Sequence, residues 1–346
     1  MKANRELMDR FSRRIPDPSN MRLVHISPEF PSWLNPFASD GVVIKAAGVP
    51  GEAPHSKWIV AYEGIRDGIE RGYITPDTKI VEATSGNTGD GMAAIANALD
   101  LSFTAVMSID VAQEKINAIR VLGRRTRLQL LSDENETTVE YARRLGQEPN
   151  CYNPCQYDGI WNPQAHARYL APQLWKQQKD ISLLFVPSGT MGTSMGLAMH
   201  AYECGFKTLV YPVLCAEGHE IPGARTLSSV KKDIRQQWSA VFGEEVIQFG
   251  TRHAAFYGSF LTWPFVLQKL GPSFGLAFAG ALSFLKGHKS AGTLDQFREK
   301  DGTIQVVVFG PDECRPYIGL YLGVLDRKKE LSAKTPPTDL LSVLEK

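Results

Sequence analysis

Glu82-Ala83-Thr84-Ser85-Gly86-Asn87-Thr88-Gly89 stands between an apolar strand, Lys79-Ile80-Val81-Glu82-Ala83, and a run from Asp90 to Leu99. That run carries Met92, Ala93, Ile95, Ala96 and Leu99 at helical spacing. A strand that turns through hydroxyls, an amide and two glycines into a helix brings several donors to one point. The glycines let the backbone come close to a ligand, and the helix N-terminus adds partial positive charge. The turn reads as a cradle for a carboxylate or a phosphate, or else as a plain capped turn with Thr or Asn at the N-cap.

The same alternation continues outward. Strands are expected at 101–107, 128–131, 183–186, 208–215 and 305–309, and helices at 113–122, 136–145, 193–203 and 274–285. Strands alternating with helices imply an α/β fold with parallel sheets covered on both faces. The Asn-, Pro- and aromatic-rich segment 150–163 reads as a loop between domains, and the polar tail after Leu325 as surface chain. A second strand–loop–helix cradle follows at Pro187-Ser188-Gly189-Thr190-Met191-Gly192-Thr193-Ser194, and phosphate suits it. It is not a Walker loop, because no Gly-Lys-Ser/Thr follows. Two cradles imply one ligand with two acidic ends, or two ligands side by side.

Composition narrows the classes. With 38 Lys+Arg against 37 Asp+Glu, the +1 balance argues against nucleic-acid binding. Hydrophobic residues at 43% and charged residues at 22% fit a folded chain of about two domains. The N-terminal 14 residues lack the apolar core of a signal peptide, and the longest apolar run, near 274–285, is too short to span a membrane. These features lead to the expectation of a cytoplasmic protein with no membrane partner. The five cysteines are too few for a disulfide framework, and the histidines make no HExxH pair, so no metal is expected.

In order and spacing these motifs resemble the cysteine synthase and cystathionine β-synthase family, pyridoxal-phosphate enzymes of fold type II related to the tryptophan synthase β-subunit. Thr84–Gly89 resembles the family's substrate-carboxylate loop, and Lys57, 27 residues before Thr84, stands about where its Schiff-base lysine does. Gln156-Tyr-Asp-Gly-Ile-Trp-Asn-Pro-Gln-Ala-His166 resembles its Gln…Asn-Pro…His segment. Gly189-Thr-Met-Gly-Thr193 resembles its phosphate loop, Gly271-Pro-Ser-Phe-Gly-Leu-Ala277 its GPSSGAA turn, and Val306–Glu313 its last strand and cofactor-nitrogen contact.

The resemblance implies two doubly wound sheet domains with the cofactor between them. A smaller, mobile domain at 41–149 would carry the carboxylate loop, and a larger one at 1–40 plus 150–346 the cofactor phosphate. It implies pyridoxal 5'-phosphate held by Lys57, Asn87, Gly189, Thr190, Met191, Gly192, Thr193 and Glu313. An amino-acid substrate would be held by Thr84, Ser85, Gly86, Thr88 and Gln156, with Lys57 as the catalytic base. The implied reaction is β-replacement on a serine-derived amino acid through an aminoacrylate, with a thiol or amine as nucleophile, in a homodimer. Alternatives are a serine/threonine dehydratase or other lyase giving keto acid and ammonia, and a non-catalytic relative that binds cofactor or a partner protein.

The sequence departs from the family pattern in several places. Trp58 and Ile59 follow Lys57 where the family has Asp and Arg, and His55 precedes it. Met191 replaces a glycine, so a strongly positive φ there would be strained. Glu313 stands where a Ser or Thr usually faces the pyridine nitrogen, or is a surface acid paired with Arg315. Arg225 follows a strand where it could meet an acidic substrate group. The aromatic run at 250–263 reads as a pocket wall, core packing or a dimer contact.

Overall fold

The computed structural model describes residues 2–48, 56–109, 111, 113–122, 124–132, 136–234, 242, 246–266, 269–311, 317–325 and 340–341. In chain order the elements are α1 (Lys2–Arg14), β1 (His25–Glu29), β2 (Val42–Gly48), α2 (Lys57–Glu70), β3 (Lys79–Ala83), α3 (Asn87–Ala98), β4 (Ser102–Ser108), α4 (Gln113–Leu122), β5 (Thr126–Leu131) and α5 (Thr138–Leu145). There follow β6 (Cys151–Tyr152), α6 (Trp161–Ala165), α7 (Ala171–Gln177), β7 (Leu183–Pro187), α8 (Gly192–Glu203), β8 (Leu209–Cys215) and α9 (Leu227–Asp233). The last are β9 (Gln248–Gly250), α10 (Arg252–Thr262), α11 (Pro272–Ser290), β10 (Ile304–Gly310) and α12 (Ile318–Leu325). Among the described residues no helix is long and apolar enough to cross a membrane.

The chain divides into two compact units. One comprises Met1–Met21, Pro54–Tyr169 and Lys232–Gln236; the other comprises Arg22–Ala53, Leu170–Lys231 and Gln237–Lys346. The first is built on a parallel sheet in the order β5-β4-β3-β6. Ile80, Val81, Phe103, Ala105 and Val106 are buried in it, the near-continuous apolar run that a sheet covered on both faces requires. Helix α3 begins at Asn87, three residues before the apolar spacing that announces it, because its first turn is polar.

The segment 150–163, read as a loop, holds more structure than that. Cys151 and Tyr152 pair with Lys79 and Ile80 as the edge strand β6, and Trp161 opens α6. This is why the first unit runs on to Tyr169, past the expected 41–149. At the other boundary, β2 pairs along its length with β10, which ties 42–48 to the second unit.

The second unit is a six-stranded sheet in the order β1-β2-β10-β7-β8-β9, parallel except for the antiparallel β1–β2 pair. Its centre, β10, joins a strand from the first part of the chain to β7. Helix α11 enters through Gly271 with Pro272 at its first position, where the missing N–H costs nothing. The aromatic run is largely α10, with Ala254, Ala255 and Phe256 buried; Phe256 and Trp263 both pack on Tyr321. Core packing is therefore what these aromatics do. The crossing of α10 and α11 leaves no room at Gly275: a Cβ there would meet Ala255 O at 1.8 Å and Ser259 N at 2.5 Å. Gly275→Ala is expected to cost about 3 kcal/mol through overpacking, read as a lower denaturant midpoint with an unchanged m-value.

Candidate active site

Lys57 is the first residue of α2 and is half-buried. Helix α2 lies close against α3: a Cβ on Gly91 would come within 2.9 Å of Ala61 Cβ and 3.6 Å of Lys57 O. Lys57 therefore stands beside the start of α3. On another side of α2, Gly64 makes room for the Trp161 ring, to which a Cβ would come within 2.8 Å. That contact brings in α6 and the π-helical turn His166–Leu170 that follows it. Single π turns inside helices concentrate at functional sites. His166 is fully buried. Desolvation, and then the charge of Lys57, hold its imidazole well below the ordinary range, so it is neutral. The indole N–H of Trp58 is buried with no hydrogen-bond partner among the described residues.

The turn after β3 is organised by Thr84. Its hydroxyl oxygen accepts the N–H groups of Gly86 at 3.1 Å and Gly89 at 3.0 Å, while its own N–H donates to Val106 O at 2.9 Å. Gly89 must be glycine, since a Cβ would meet Thr84 Cγ2 at 2.6 Å and Ile119 Cδ1 at 2.8 Å. Gly86 has φ of 141°, a backbone few side chains tolerate. The Thr88 hydroxyl donates to Gln156 Oε1 at 2.8 Å, and Gln156 Nε2 donates to Ala83 O at 2.7 Å. Thr84, Thr88 and Gln156 thus brace the turn from behind, and Ser85 is exposed. Helix α3 presents first-turn N–H groups that have no acceptor within the helix. Asn87 Oδ1 accepts from the Lys115 ammonium on α4.

Beneath the turn, Glu82 is fully buried. The Gln156 N–H donates to both its carboxylate oxygens, at 3.3 and 3.4 Å. Burial pushes its carboxyl up to about 8, with the N–H groups of Gln156, Cys155 and Ala83 opposing. Charged residues are usually read as exposed, so nothing in the sequence marks Glu82 as buried. Lys115 also escapes sequence reading, because it looks like any polar residue of an amphipathic helix.

In the second unit, α8 starts at Gly192 behind a turn through Gly189, Thr190 and Met191. A Cβ on Gly189 would come within 2.6 Å of Gly223 O, so the loop is closed in by backbone. Met191 is buried with φ of 61°, the left-handed conformation, at a cost of about 1 kcal/mol for a residue with a side chain. The strain is held in place: Ser194 Oγ donates to Met191 O at 2.9 Å and lies 3.2 Å from Ser188 Oγ. Thr190 and Thr193 are buried, and the Gly192 N–H donates to Thr190 Oγ1 at 3.4 Å. The Arg225 N–H donates to Ser188 O at 3.1 Å, which sets the 217–225 loop beside this turn. His55 and Glu313 lie outside the described residues. Of the expected site residues, Lys57, Thr84, Ser85, Gly86, Asn87, Thr88 and Gln156 stand together in the first unit, and Gly189–Thr193 in the second.

A family model described as pyridoxal-phosphate dependent enzyme matches residues 56–250. Cysteine synthase B of Campylobacter jejuni is 33% identical over 139 residues, covering 40% of this chain and 46% of that protein. Cystathionine beta-synthase of Apis mellifera is 34% identical over 149 residues, covering 42% and 30%. The chain thus spans less than half the length of these curated relatives. Among solved structures, an O-acetylserine dependent cystathionine beta-synthase from Helicobacter pylori aligns with a TM-score of 0.69 at 21% identity, covering 88% of this chain and 96% of that one. A hydrogen sulfide-producing enzyme from Fusobacterium nucleatum gives 0.69 at 22%, covering 87% and 96%. At such identities the likeness is one of fold.

Glu82 generates a pH prediction. Its carboxyl, raised to about 8 from an ordinary 4.5, keeps in the folded protein a proton that the unfolded chain has lost. The associated stability is complete below the unfolded value and is lost as pH rises through the folded one. Glu82→Gln removes this titration. Its unfolding free energy relative to the natural protein is expected to rise between about pH 5 and pH 8, measured by urea denaturation at stepped pH. Parallel curves would mean that Glu82 ionises normally.

Proposed function

The chain belongs to the family of pyridoxal-phosphate dependent enzymes, and from that premise we propose that it performs β-replacement on a serine-derived amino acid. An acyl or phosphoryl oxygen leaves Cβ and a thiol or amine takes its place. The observation that carries this reading is the Thr84–Gly89 turn: a donor-rich strand–helix junction, braced from behind, one helix away from Lys57.

The residues fit the family's cofactor. The loop at 189–193 carries two buried threonine hydroxyls and leads into a helix N-terminus, with no acidic side chain, and a side chain on Gly189 would collide with Gly223 O. That is the chemistry of a phosphate site. Gly189, Thr190, Met191, Gly192 and Thr193 would hold the phosphate, Asn87 the ring oxygen, Lys57 the aldehyde carbon and Glu313 the pyridine nitrogen. When bound, the cofactor supplies an aldehyde for amino groups and a ring that withdraws electrons from Cα. Ser85 and the first-turn amides of α3 orient the substrate carboxylate, with Gly86, Thr84, Thr88 and Gln156 setting their geometry. Lys57 Nζ takes the Cα proton. The buried His166 is neutral and so places no second cation beside Lys57.

Support for the substrate class comes from the two curated relatives and from the Helicobacter pylori protein, whose description names O-acetylserine. On the family resemblance, the same reading makes the protein a cytoplasmic homodimer, which sedimentation of the holoprotein tests. Borohydride reduction followed by peptide mapping is expected to find cofactor fixed on Lys57, and Lys57→Ala to lower turnover by about 10³-fold or more. Keto-acid release from O-acetylserine is expected to fall as a thiol is added and a thioether amino acid forms. Release unaffected by any nucleophile would favour elimination instead. A colourless protein with no labelled lysine would leave only a binding role.

A further inference from the structure

Behind the Thr84–Gly89 turn lies a side chain that the reading above does not use. Lys115, on α4, is only 7% exposed. Its aliphatic stem runs against Gly86: a Cβ there would come within 2.7 Å of Lys115 Cδ, 3.3 Å of Cγ and 3.4 Å of Cε. The left-handed glycine therefore does more than allow the turn; it leaves the channel along which the lysine reaches the start of α3. At the end of that channel the ammonium donates to Asn87 Oδ1. Asp90, in the first turn of α3, also feels the lysine: burial raises its carboxyl to about 6, and the Lys115 charge pulls it back.

An asparagine amide presents one acceptor end and one donor end of almost equal size, so shape alone does not fix which way it faces. An ammonium has three donors and no acceptor. Placed on one side of Asn87, it donates to the oxygen end and turns the NH2 end away from itself. We propose that Lys115 is a positioning residue that fixes the Asn87 amide as a donor toward an ionised ring oxygen of the bound cofactor. This rests on the functional reading above, in which Asn87 faces that oxygen. Without Lys115 the amide is free to flip and present its carbonyl, which suits only a protonated ring hydroxyl. Lys115 then acts through Asn87, and its contribution disappears when Asn87 is gone.

The test uses the holoprotein, three single variants and one double variant: Lys115→Met, which keeps the stem and loses the donor; Lys115→Arg, which keeps a donor-only cation; Asn87→Ala; and Asn87→Ala combined with Lys115→Met. Cofactor is removed and titrated back while the visible band of the ring-ionised form and the apparent Kd are recorded. Lys115→Met is expected to weaken rebinding about 10-fold, the usual loss for a hydrogen bond to a charged group, and to shift absorbance toward the ring-protonated form. Lys115→Arg should restore both to within about 3-fold. In the Asn87→Ala background, Lys115→Met should change neither further. A folded Lys115→Met protein with the natural spectrum and affinity overturns the proposal. So does an equal effect with and without Asn87, which would make Lys115 a bulk charge. If Lys115→Met does not fold, Lys115→Gln replaces it; its amide can present either end, so an intermediate shift supports the proposal and none overturns it. Borohydride labelling of Lys57 in the natural protein separates the two failures. Without label the functional reading falls, whereas with label and an unchanged Lys115 variant only this inference does.

Discussion

The Thr84 hydroxyl, accepting the N–H groups of both Gly86 and Gly89, is the contact on which the first unit's chemistry depends. It pulls the chain leaving β3 into a turn tight enough that α3 starts at Asn87. That is possible only because Gly89 has no Cβ to strike Thr84 and Gly86 adopts a left-handed backbone. Gln156 then closes the turn from below, joining Ala83, Thr88 and Glu82 through its own amide and N–H. Most side-chain polar groups of the turn are spent on one another. What remains for a ligand is Ser85, the NH2 of Asn87 and the helix amides.

The second unit solves a similar problem with different means. Its loop is held by backbone pressed against Gly189 and by a strained Met191 pinned by Ser194. A non-glycine residue in the left-handed region persists only where its surroundings over-determine it. Here the strained residue stands directly ahead of α8, and a helix N-terminus is what an anion needs.

The β3–turn–α3 unit was legible because strand apolarity and helix spacing change over within a few residues, with turn chemistry between them. The parallel alternation beyond it was legible for the same reason. The two-residue strand β6 was not: two residues have no period, and Cys151-Tyr152 sits among Asn and Pro. Helix α2 is not legible in the sequence, although the family resemblance singles out Lys57, because the glycines at 64 and 68 weaken its helical pattern; they serve instead to admit Trp161 and Ile74. Glu82, Lys115 and His166 could not be read as buried, because burial of a titratable group depends on partners distant in sequence. These three surround the turn and Lys57, and they set the local electrostatics there.

In the proposed reaction Lys57 and the Thr84–Gly89 turn together process an amino acid that carries a leaving group on Cβ. The most direct measurement is the visible absorption spectrum of the purified holoprotein titrated with O-acetylserine, O-phosphoserine and serine, then with a thiol. One serine derivative is expected to displace the cofactor band, and thiol addition to restore it as the substituted amino acid forms. A band that no such amino acid moves, or no visible band at all, would contradict it.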